Sequence, residues 1–210
     1  MSLINQLNWR YATKRMNGEK IPQQKVDAIL EAIRLSASSY GLQPYTIFSI
    51  QNEEVRKSIL PVAYNQPQIV EASHILVFAA WDKISQEQID AFFNQMEEVR
   101  GATTESLAAY KAMIENTVNS QTGDTTFNWT SRQAYIALGT GLIAAAEQEV
   151  DAAPLEGFDP AAVDEILGLK ARNLRSVAIL ALGYRDTTTD QLGNAKKIRR
   201  DTNKLFVTID

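Results

Sequence analysis

The feature that most constrains the fold is a long apolar segment, residues 127–149, whose pattern predicts a helix rich in small residues. It carries Gly139, Gly141 and the run Ala144-Ala145-Ala146. Because small side chains let a neighbouring backbone approach closely, we expect this helix either at the centre of the core or in a dimer interface. The preceding Gly123-Asp124 pair predicts a turn.

The remaining pattern predicts more helix than strand. One helix is predicted to begin at Pro22 and to carry an apolar stripe that ends at Leu35. Further helices are predicted over residues 53–60, over residues 84–118 with a division at Gly101, and over residues 160–167 after an N-cap at Asp159. Strands are predicted over residues 45–50, 74–80 and 174–184. Without strict βαβ alternation, this order indicates one α+β domain over residues 1–210, with a central sheet wrapped by helices.

Charge and hydropathy exclude several classes of protein. A formal net charge of −4 and a pI near 5.2 argue against a protein that coats nucleic acid. The longest apolar run, residues 75–81, is the length of a strand and too short to span a membrane. The first residues lack the charged-then-apolar pattern of a signal peptide, so we expect a cytoplasmic protein without a membrane partner.

Few side chains are available for catalysis. The chain has no cysteine and one histidine, His74, which excludes disulfides, thiolate nucleophiles and zinc sites that contain cysteine. His74 begins an apolar strand, where we expect it to be packed or hydrogen-bonded. A chain with so few reactive groups either binds a ligand without catalysis or takes its chemistry from a cofactor.

Two basic clusters lie near opposite ends of the chain, at residues 10–15 and 196–200. Chain termini often lie close together, so the clusters can form one anion site with convergent donors. The alternative is that each cluster is solvated surface charge.

No Gly-x-Gly-x-x-Gly motif follows a strand and no Walker loop is present, so a standard nucleotide-binding fold is not supported. Instead, an ordered set of short segments resembles the FMN-dependent nitroreductase family across essentially the whole chain. The segments are Arg10-Tyr11-Ala12-Thr13-Lys14, Ser38-Ser39-Tyr40-Gly41-Leu42-Gln43-Pro44-Tyr45, Pro154-Leu155-Glu156-Gly157-Phe158 and Lys197-Ile198-Arg199, with further similarity around Asn65-Gln66-Pro67-Gln68 and Trp129–Tyr135.

The resemblance implies a nitroreductase-like fold with a mainly antiparallel sheet, an intertwined homodimer and two FMN sites. The residues that match the family's phosphate ligands are Arg10, Lys197 and Arg199. Those that match positions along the ribityl chain and the pyrimidine edge are Tyr11, Ala12, Lys14, Asn65 and Gln68. A cation at that edge stabilises the negative charge that develops near N1 and O2 on reduction, and Lys14 is the candidate for this catalytic role.

The segment Pro154-Leu155-Glu156-Gly157 is implied to lie over one edge of the flavin ring. The backbone N–H groups of Glu156 and Gly157 then reach flavin N5, which makes these residues the other catalytic candidates. The residues implied to approach from the second subunit are Ser38, Ser39 and Gln43.

Simpler interpretations remain for several of these residues. Glu156 fits an exposed loop carboxylate, and Gln43-Pro44 fits the start of a strand, because proline favours an extended residue before it. Trp129 and Tyr135 fit core aromatics.

The implied function is an FMN oxidoreductase that passes a hydride from NADH or NADPH through flavin N5 to a nitroaromatic, quinone or similar small acceptor, by a ping-pong mechanism. The alternative is a flavin carrier or sensor without turnover on the same fold. No metal is implied. The chain departs from the pattern at Gln68, where enteric members carry lysine, and this difference bears on the reduction potential and on substrate preference.

Overall fold

The computed structural model describes residues 2–209 and contains one antiparallel sheet of four strands in the order β1-β2-β4-β3. The strands are β1 (Tyr45–Ile50), β2 (His74–Trp81), β3 (Asp151–Leu155) and β4 (Leu174–Gly183). The helices are α1 (Leu3–Trp9), α2 (Gln23–Arg34), α3 (Glu53–Val62), α4 (Gln68–Glu71), α5 (Gln86–Arg100), α6 (Thr104–Asn119), α7 (Gly123–Glu147), α8 (Pro160–Ile166) and α9 (Thr202–Leu205). The predicted α+β class and the sheet wrapped by helices are confirmed.

The two central strands are buried on both faces. Side chains alternate along β2, so Ile75 and Val77 pack into one apolar cluster with Ile59 of α3. Leu76 and Phe78 point to the other face. There they join the buried stripe of α2 and the small residues of α7. The three predicted strands are therefore confirmed, each within one residue of its predicted bounds.

Helix α7 lies across the sheet, as the small residues predicted. A Cβ at Gly141 would lie 3.0 Å from Ile33 Cδ1 and 3.4 Å from Leu180 Cδ2, so only glycine fits this crossing without displacing a neighbour. The expectation that α7 packs in the core is confirmed for the face that carries Gly141. Ile136 and Ile143 lie exposed on the opposite face of the helix. The predicted Gly123-Asp124 turn is wrong, because Thr122 and Thr125 form a capping box that starts the helix at Gly123.

The long charged segment forms a helical hairpin, α5 and α6, with its own small core. Gly101 ends α5 in a left-handed conformation at φ 64°, which confirms the predicted division. Ile89, Phe93 and Ile114 pack together as a cluster separate from the two large ones.

Strand β3 is the described strand that the sequence did not predict, and the short helices α1, α4 and α9 were not predicted either. The strand is short, consists mostly of small residues and contains Pro154, which normally argues against a strand. Proline is permitted in β3 because this is an edge strand, so one side of its backbone has no neighbouring strand in the described sheet.

His74 has the packed role expected for it. It is 3% exposed, and its Nδ1 lies 2.9 Å from the Ser73 hydroxyl oxygen. Burial lowers the pKa of His74, and the nearby charges of Lys20 and Arg56 lower it further. Within residues 2–209, no helix combines the length and the apolar character needed to cross a membrane.

Candidate functional site

The two basic clusters meet at one end of the sheet. Lys197 Nζ donates a hydrogen bond to the backbone carbonyl of Arg10, although 187 positions separate these residues in sequence. The chain ends surround a cavity of about 610 Å³ that Pro154 of β3 also borders. Of the residues that match FMN ligands of the family, this cavity brings together Arg10, Tyr11, Ala12, Lys14, Pro154, Lys197 and Arg199.

The cavity concentrates positive charge. Within residues 2–209, none of Arg10, Lys197 and Arg199 forms an ion pair with a carboxylate. Burial lowers the pKa of Arg10 and so does the neighbouring charge of Arg199. Burial also lowers the pKa of Lys197, and the charges of Arg10 and Arg199 act in the same direction.

Cations held this close repel one another until an anion joins them. Arg10 Nε is buried and has no hydrogen-bond partner in the described chain. An unsatisfied guanidinium beside two other cations fits the phosphate of FMN. The alternative interpretation, in which the basic clusters are solvated surface charge, is correct only for some of their residues. Arg15 pairs with Glu71 at the surface, and Lys196 and Arg200 are exposed.

Asp190 ties the head segment to the tail. Its Oδ2 accepts hydrogen bonds from the Tyr11 hydroxyl at 3.0 Å and from the backbone N–H groups of Lys14 and Arg15 at 2.7 and 3.3 Å. Its Oδ1 accepts a fourth from Leu192 N–H at 2.9 Å. Burial and the bond to Asp190 raise the pKa of Tyr11 to about 12, so its phenol stays neutral. Asp190 thereby fixes the segment that carries Lys14.

Asp151 and Arg185 form a second buried support. The carboxylate of Asp151, 3% exposed, accepts bonds from Arg185 Nη2 at 2.6 Å and from the Thr13 hydroxyl at 3.3 Å. The guanidinium of Arg185 lies against the rings of Trp9 and Tyr11, at 4.4 and 4.7 Å from their centroids. The start of β3 is thus joined to the head segment beneath the cavity.

The outer edge of β3 offers backbone donors. Pro154 pairs with Leu180 but has no N–H, so the residues that bond to β4 are the alternate ones, which include Leu155. Within residues 2–209, no carbonyl or side chain accepts a bond from the N–H of Glu156 or Gly157. Two free consecutive donors fit an acceptor such as flavin N5.

Glu156 and Gly157 lie outside the cavity lining, at the end of β3. Tyr135 donates its hydroxyl to Glu156 Oε1 at 2.6 Å, and Gln66 Nε2 donates to the Gly157 carbonyl at 2.6 Å. Glu156 is an exposed carboxylate, as one interpretation expected, but it has a specific partner. The core interpretation of Tyr135 is wrong, because this residue is 39% exposed, while Trp129 is half-buried.

The other candidates on this side of the sheet do not line the cavity either. Gln68 on α4 is 2% exposed, and its Nε2 donates to the Thr13 carbonyl at 3.1 Å beside Lys14. Its Oε1 is buried and has no hydrogen-bond partner in the described part of the chain. Asn65 is exposed at φ 54°, and Leu155 is buried within β3.

Ser38, Ser39 and Gln43 lie elsewhere in the chain. Gln43 borders a different cavity, of about 500 Å³, between α2, β1 and α5. Ser38 Oγ accepts a bond from Gln43 N–H, and Ser39 N–H donates to Gln133 Oε1 at 2.7 Å. Gln43-Pro44 does lead directly into β1, as one interpretation expected. Gln43 has φ 47°, however, so the extended conformation expected before Pro44 is wrong. Within one chain, these three residues therefore do not border the cavity that Arg10, Lys197 and Arg199 line.

Sequence reasoning missed Asp190, Asp151 and Arg185. Each is a common residue type without a motif, and nothing in the local pattern distinguishes it from surface charge. Only the junction of the chain ends shows that these side chains bond to segments distant in sequence.

Comparisons with known proteins identify the family and the fold. The nitroreductase family model matches residues 7–184. The chain is 28% identical over 205 residues to the major NAD(P)H-flavin oxidoreductase of Aliivibrio fischeri, with 94% of each protein covered. It is 27% identical over 199 residues to the oxygen-insensitive NAD(P)H nitroreductase of Enterobacter cloacae, with 88% of this chain and 89% of that one covered. An Exiguobacterium sibiricum protein solved in complex with FMN has the same fold, with a TM-score of 0.83 at 18% identity over 100% of this chain and 98% of that one.

Proposed function

This chain belongs to the nitroreductase family and is an NAD(P)H-dependent FMN oxidoreductase, and we propose that it works as a cytoplasmic homodimer that reduces an electron-poor small molecule. A nitroaromatic or a quinone is such an acceptor. The proposal treats residues 1–210 as a single FMN-binding domain. The cytoplasm is proposed because reduced nicotinamides are regenerated there.

The observation that carries the proposal is the convergence of Arg10, Lys197 and Arg199 on one cavity. These three cations have no carboxylate partner among residues 2–209 and lie at the junction of the chain ends, so they supply the donors that a phosphate needs. The cavity volume of about 610 Å³ lies in the range of cofactor sites.

The other proposed contacts follow from the surroundings of this cavity. Lys14 and Tyr11 border it and are held by Asp190, so we assign them to the polar part of the cofactor. Gln68 supports this segment from below through its bond to Thr13. The free N–H groups of Glu156 and Gly157 are assigned to flavin N5.

When bound, FMN supplies the redox chemistry by taking a hydride from NADH or NADPH and passing reducing equivalents to the acceptor. The residues of this chain bind the cofactor, orient it and place a positive charge beside it. Lys14 is the cation proposed to stabilise the charge of the reduced cofactor.

The homodimer is proposed from an exposed tail and an open sheet edge. The side chains of Ile198, Val207 and Ile209 are 89%, 84% and 92% exposed, although all three are apolar. Strand β1 has no partner on its outer edge within the described chain. Phe206 is extended, so the segment around it suits an added strand on β1 of a second copy. We propose that the second copy also supplies Ser38, Ser39 and Gln43 to the site.

The phosphate assignment is tested by comparing Arg199→Ala with Arg200→Ala. Both residues are exposed tail arginines, but only Arg199 borders the cavity. Loss of a charge-assisted bond costs about 1.5–3 kcal/mol, which weakens FMN binding roughly tenfold to a hundredfold. Fluorescence titration of the apoprotein with FMN measures this, and R200A is expected to bind like the wild type. Equal affinity of R199A and the wild type would refute the assignment.

Turnover is tested on the protein loaded with FMN. Anaerobic addition of NADH or NADPH is expected to bleach the yellow flavin rapidly, and an electron-poor acceptor is expected to restore the colour. A loaded protein that neither nicotinamide bleaches is a flavin carrier or sensor, which contradicts the proposed function.

The dimer is tested by sedimentation of the full chain and of a chain truncated after Arg200. The truncation keeps Lys197 and Arg199 but removes the apolar end of the tail. We expect a dimer for the full chain and a monomer, or a much weaker dimer, for the truncated one. A monomeric full chain at micromolar concentration, with FMN bound, would contradict the shared site.

A further inference from the structure

The ladder between β3 and β4 ends where β4 is bulged. Val177 is skipped in the register between β4 and β2, in which Phe78 pairs with Ala178 and Ala79 with Ser176. Leu155 pairs with Ile179 and bonds to β4. In an antiparallel ladder, the next hydrogen-bonded pair lies two residues further along each strand, which joins Gly157 to Val177. That pair does not form, and the strand ends at Leu155.

Tyr135 occupies the position of the missing bond. Its hydroxyl lies 3.2 Å from the Val177 carbonyl oxygen, the acceptor that Gly157 N–H would otherwise use. The same hydroxyl donates to Glu156 Oε1 at 2.6 Å. One side chain of α7 therefore contacts both strands at the point where they separate.

Gln66 holds the released segment from the other side. Its Nε2 donates to the Gly157 carbonyl at 2.6 Å and to the Ala63 carbonyl at 3.2 Å. A Cβ at position 157 would lie 3.1 Å from this nitrogen, so glycine allows the close approach. The segment after Leu155 is thus held by two side chains instead of by the ladder.

The hydroxyl of Tyr135 remains a donor across the physiological range. Burial raises the pKa of Tyr135 well above its ordinary value, and the bond to Glu156 raises it further. A phenol that keeps its proton is able to donate to Glu156 throughout this range.

We propose that Tyr135 is a positioning residue that holds Glu156 and keeps Gly157 out of the β3–β4 ladder beside the bulge at Val177, so that the N–H group of Gly157 stays free for flavin N5. The role in flavin binding rests on the proposed function, but the effect on the ladder does not. The juxtaposition that carries the inference is the Tyr135 hydroxyl between the Glu156 carboxylate and the Val177 carbonyl.

The first test is amide hydrogen exchange in the apoprotein, with Tyr135→Phe compared with the wild type. Phenylalanine fills the same space on this half-exposed position but frees the Val177 carbonyl. We expect Gly157 N–H to take that carbonyl and to exchange about tenfold more slowly, as a gained hydrogen bond requires. Tyr110→Phe is the matched control, because the Tyr110 hydroxyl bonds to the Tyr40 carbonyl far along the chain, and it should leave the Gly157 rate unchanged.

The second test uses the FMN-loaded protein. Oxidised flavin N5 accepts a hydrogen bond from the backbone N–H, whereas reduced N5 carries a proton and does not accept one in the same way. Weakening this hydrogen bond therefore destabilises the oxidised state more than the reduced state. If this bond is weakened tenfold in Y135F, the two-electron reduction potential is expected to rise by about 30 mV. Glu156→Gln keeps an oxygen acceptor for Tyr135 and is expected to shift the potential less than Glu156→Ala.

The outcomes separate the two claims. Unchanged exchange of Gly157 in apo Y135F would overturn the positioning role, whether or not FMN binds. Slower exchange with an unchanged potential and an unchanged flavin spectrum would overturn the link to N5. Absence of FMN binding in the wild type would refute the proposed function, while the apoprotein exchange would still decide the role of Tyr135 in the ladder.

Discussion

Asp190 gives the most direct test of how the site is built. Replacement by alanine removes the acceptor of four hydrogen bonds, from the Tyr11 hydroxyl and from the N–H groups of Lys14, Arg15 and Leu192. The shortest, 2.7 Å from Lys14 N, positions the proposed catalytic cation.

The loss is estimated from these bonds. A hydrogen bond to a charged group contributes about 1.5–3 kcal/mol, but water replaces part of it at this partly exposed junction. The 3.3 Å contact from Arg15 is weak, so the four bonds together are worth about 2–4 kcal/mol of unfolding free energy. Asp190→Asn keeps one oxygen for part of the donors, and we expect roughly half of that loss.

Urea denaturation of the apoprotein measures this loss, and FMN titration measures the accompanying loss of affinity. Asp186→Ala is the control, because the bonds of Asp186 to Thr188 and Thr189 stay within one turn. A D190A protein whose unfolding free energy lies within about 0.5 kcal/mol of the wild type would refute the reasoning, since ordinary surface substitutions have effects of that size.

The pH dependence provides a second check. Burial alone would raise the pKa of Asp190, but the hydrogen bonds from Lys14, Leu192 and Tyr11 outweigh it and lower the pKa. A lowered folded pKa adds stability above the unfolded value, near 3.9, and this stability is lost as the pH falls through the folded value. The difference between wild type and D190N is therefore expected at neutral pH and should disappear in strong acid.

Two further predictions concern the core. Gly141→Ala should be less stable than Gly139→Ala by about 1–3 kcal/mol in thermal or urea unfolding, because a Cβ at 141 meets buried Ile33 and Leu180 while a Cβ at 139 meets nothing within 4 Å. Equal stabilities would show that the helix crossing adjusts. The lowered pKa of His74 means that the unfolded state takes up a proton first, so unfolding free energy should fall by up to about 1.4 kcal/mol per pH unit below about pH 6.5. NMR titration of the single histidine gives the folded pKa, and a His74→Gln protein that keeps the slope would contradict this assignment.

The sequence by itself determined the elements whose burial follows a local period. The apolar run of β2 and the apolar stripe of α2 indicate which faces are buried before any partner is known. Both predictions are confirmed, except that Leu35 at the end of the stripe is exposed. Gly141 indicated a close crossing for the same reason. The two basic clusters indicated an anion site, and the family resemblance selected Arg10, Lys197 and Arg199 from them.

Only the tertiary structure decided which polar groups meet. Strand β3 has no clear period and contains a proline, and it is a strand because the edge of β4 is available to it. Asp190, Asp151 and Tyr135 acquire their roles mainly from Tyr11, Arg185 and Glu156, partners that lie at least 21 positions away from them. Hydrophobic burial is encoded by a repeat along the chain, whereas a hydrogen bond depends on the identity and direction of a partner that folding alone brings near.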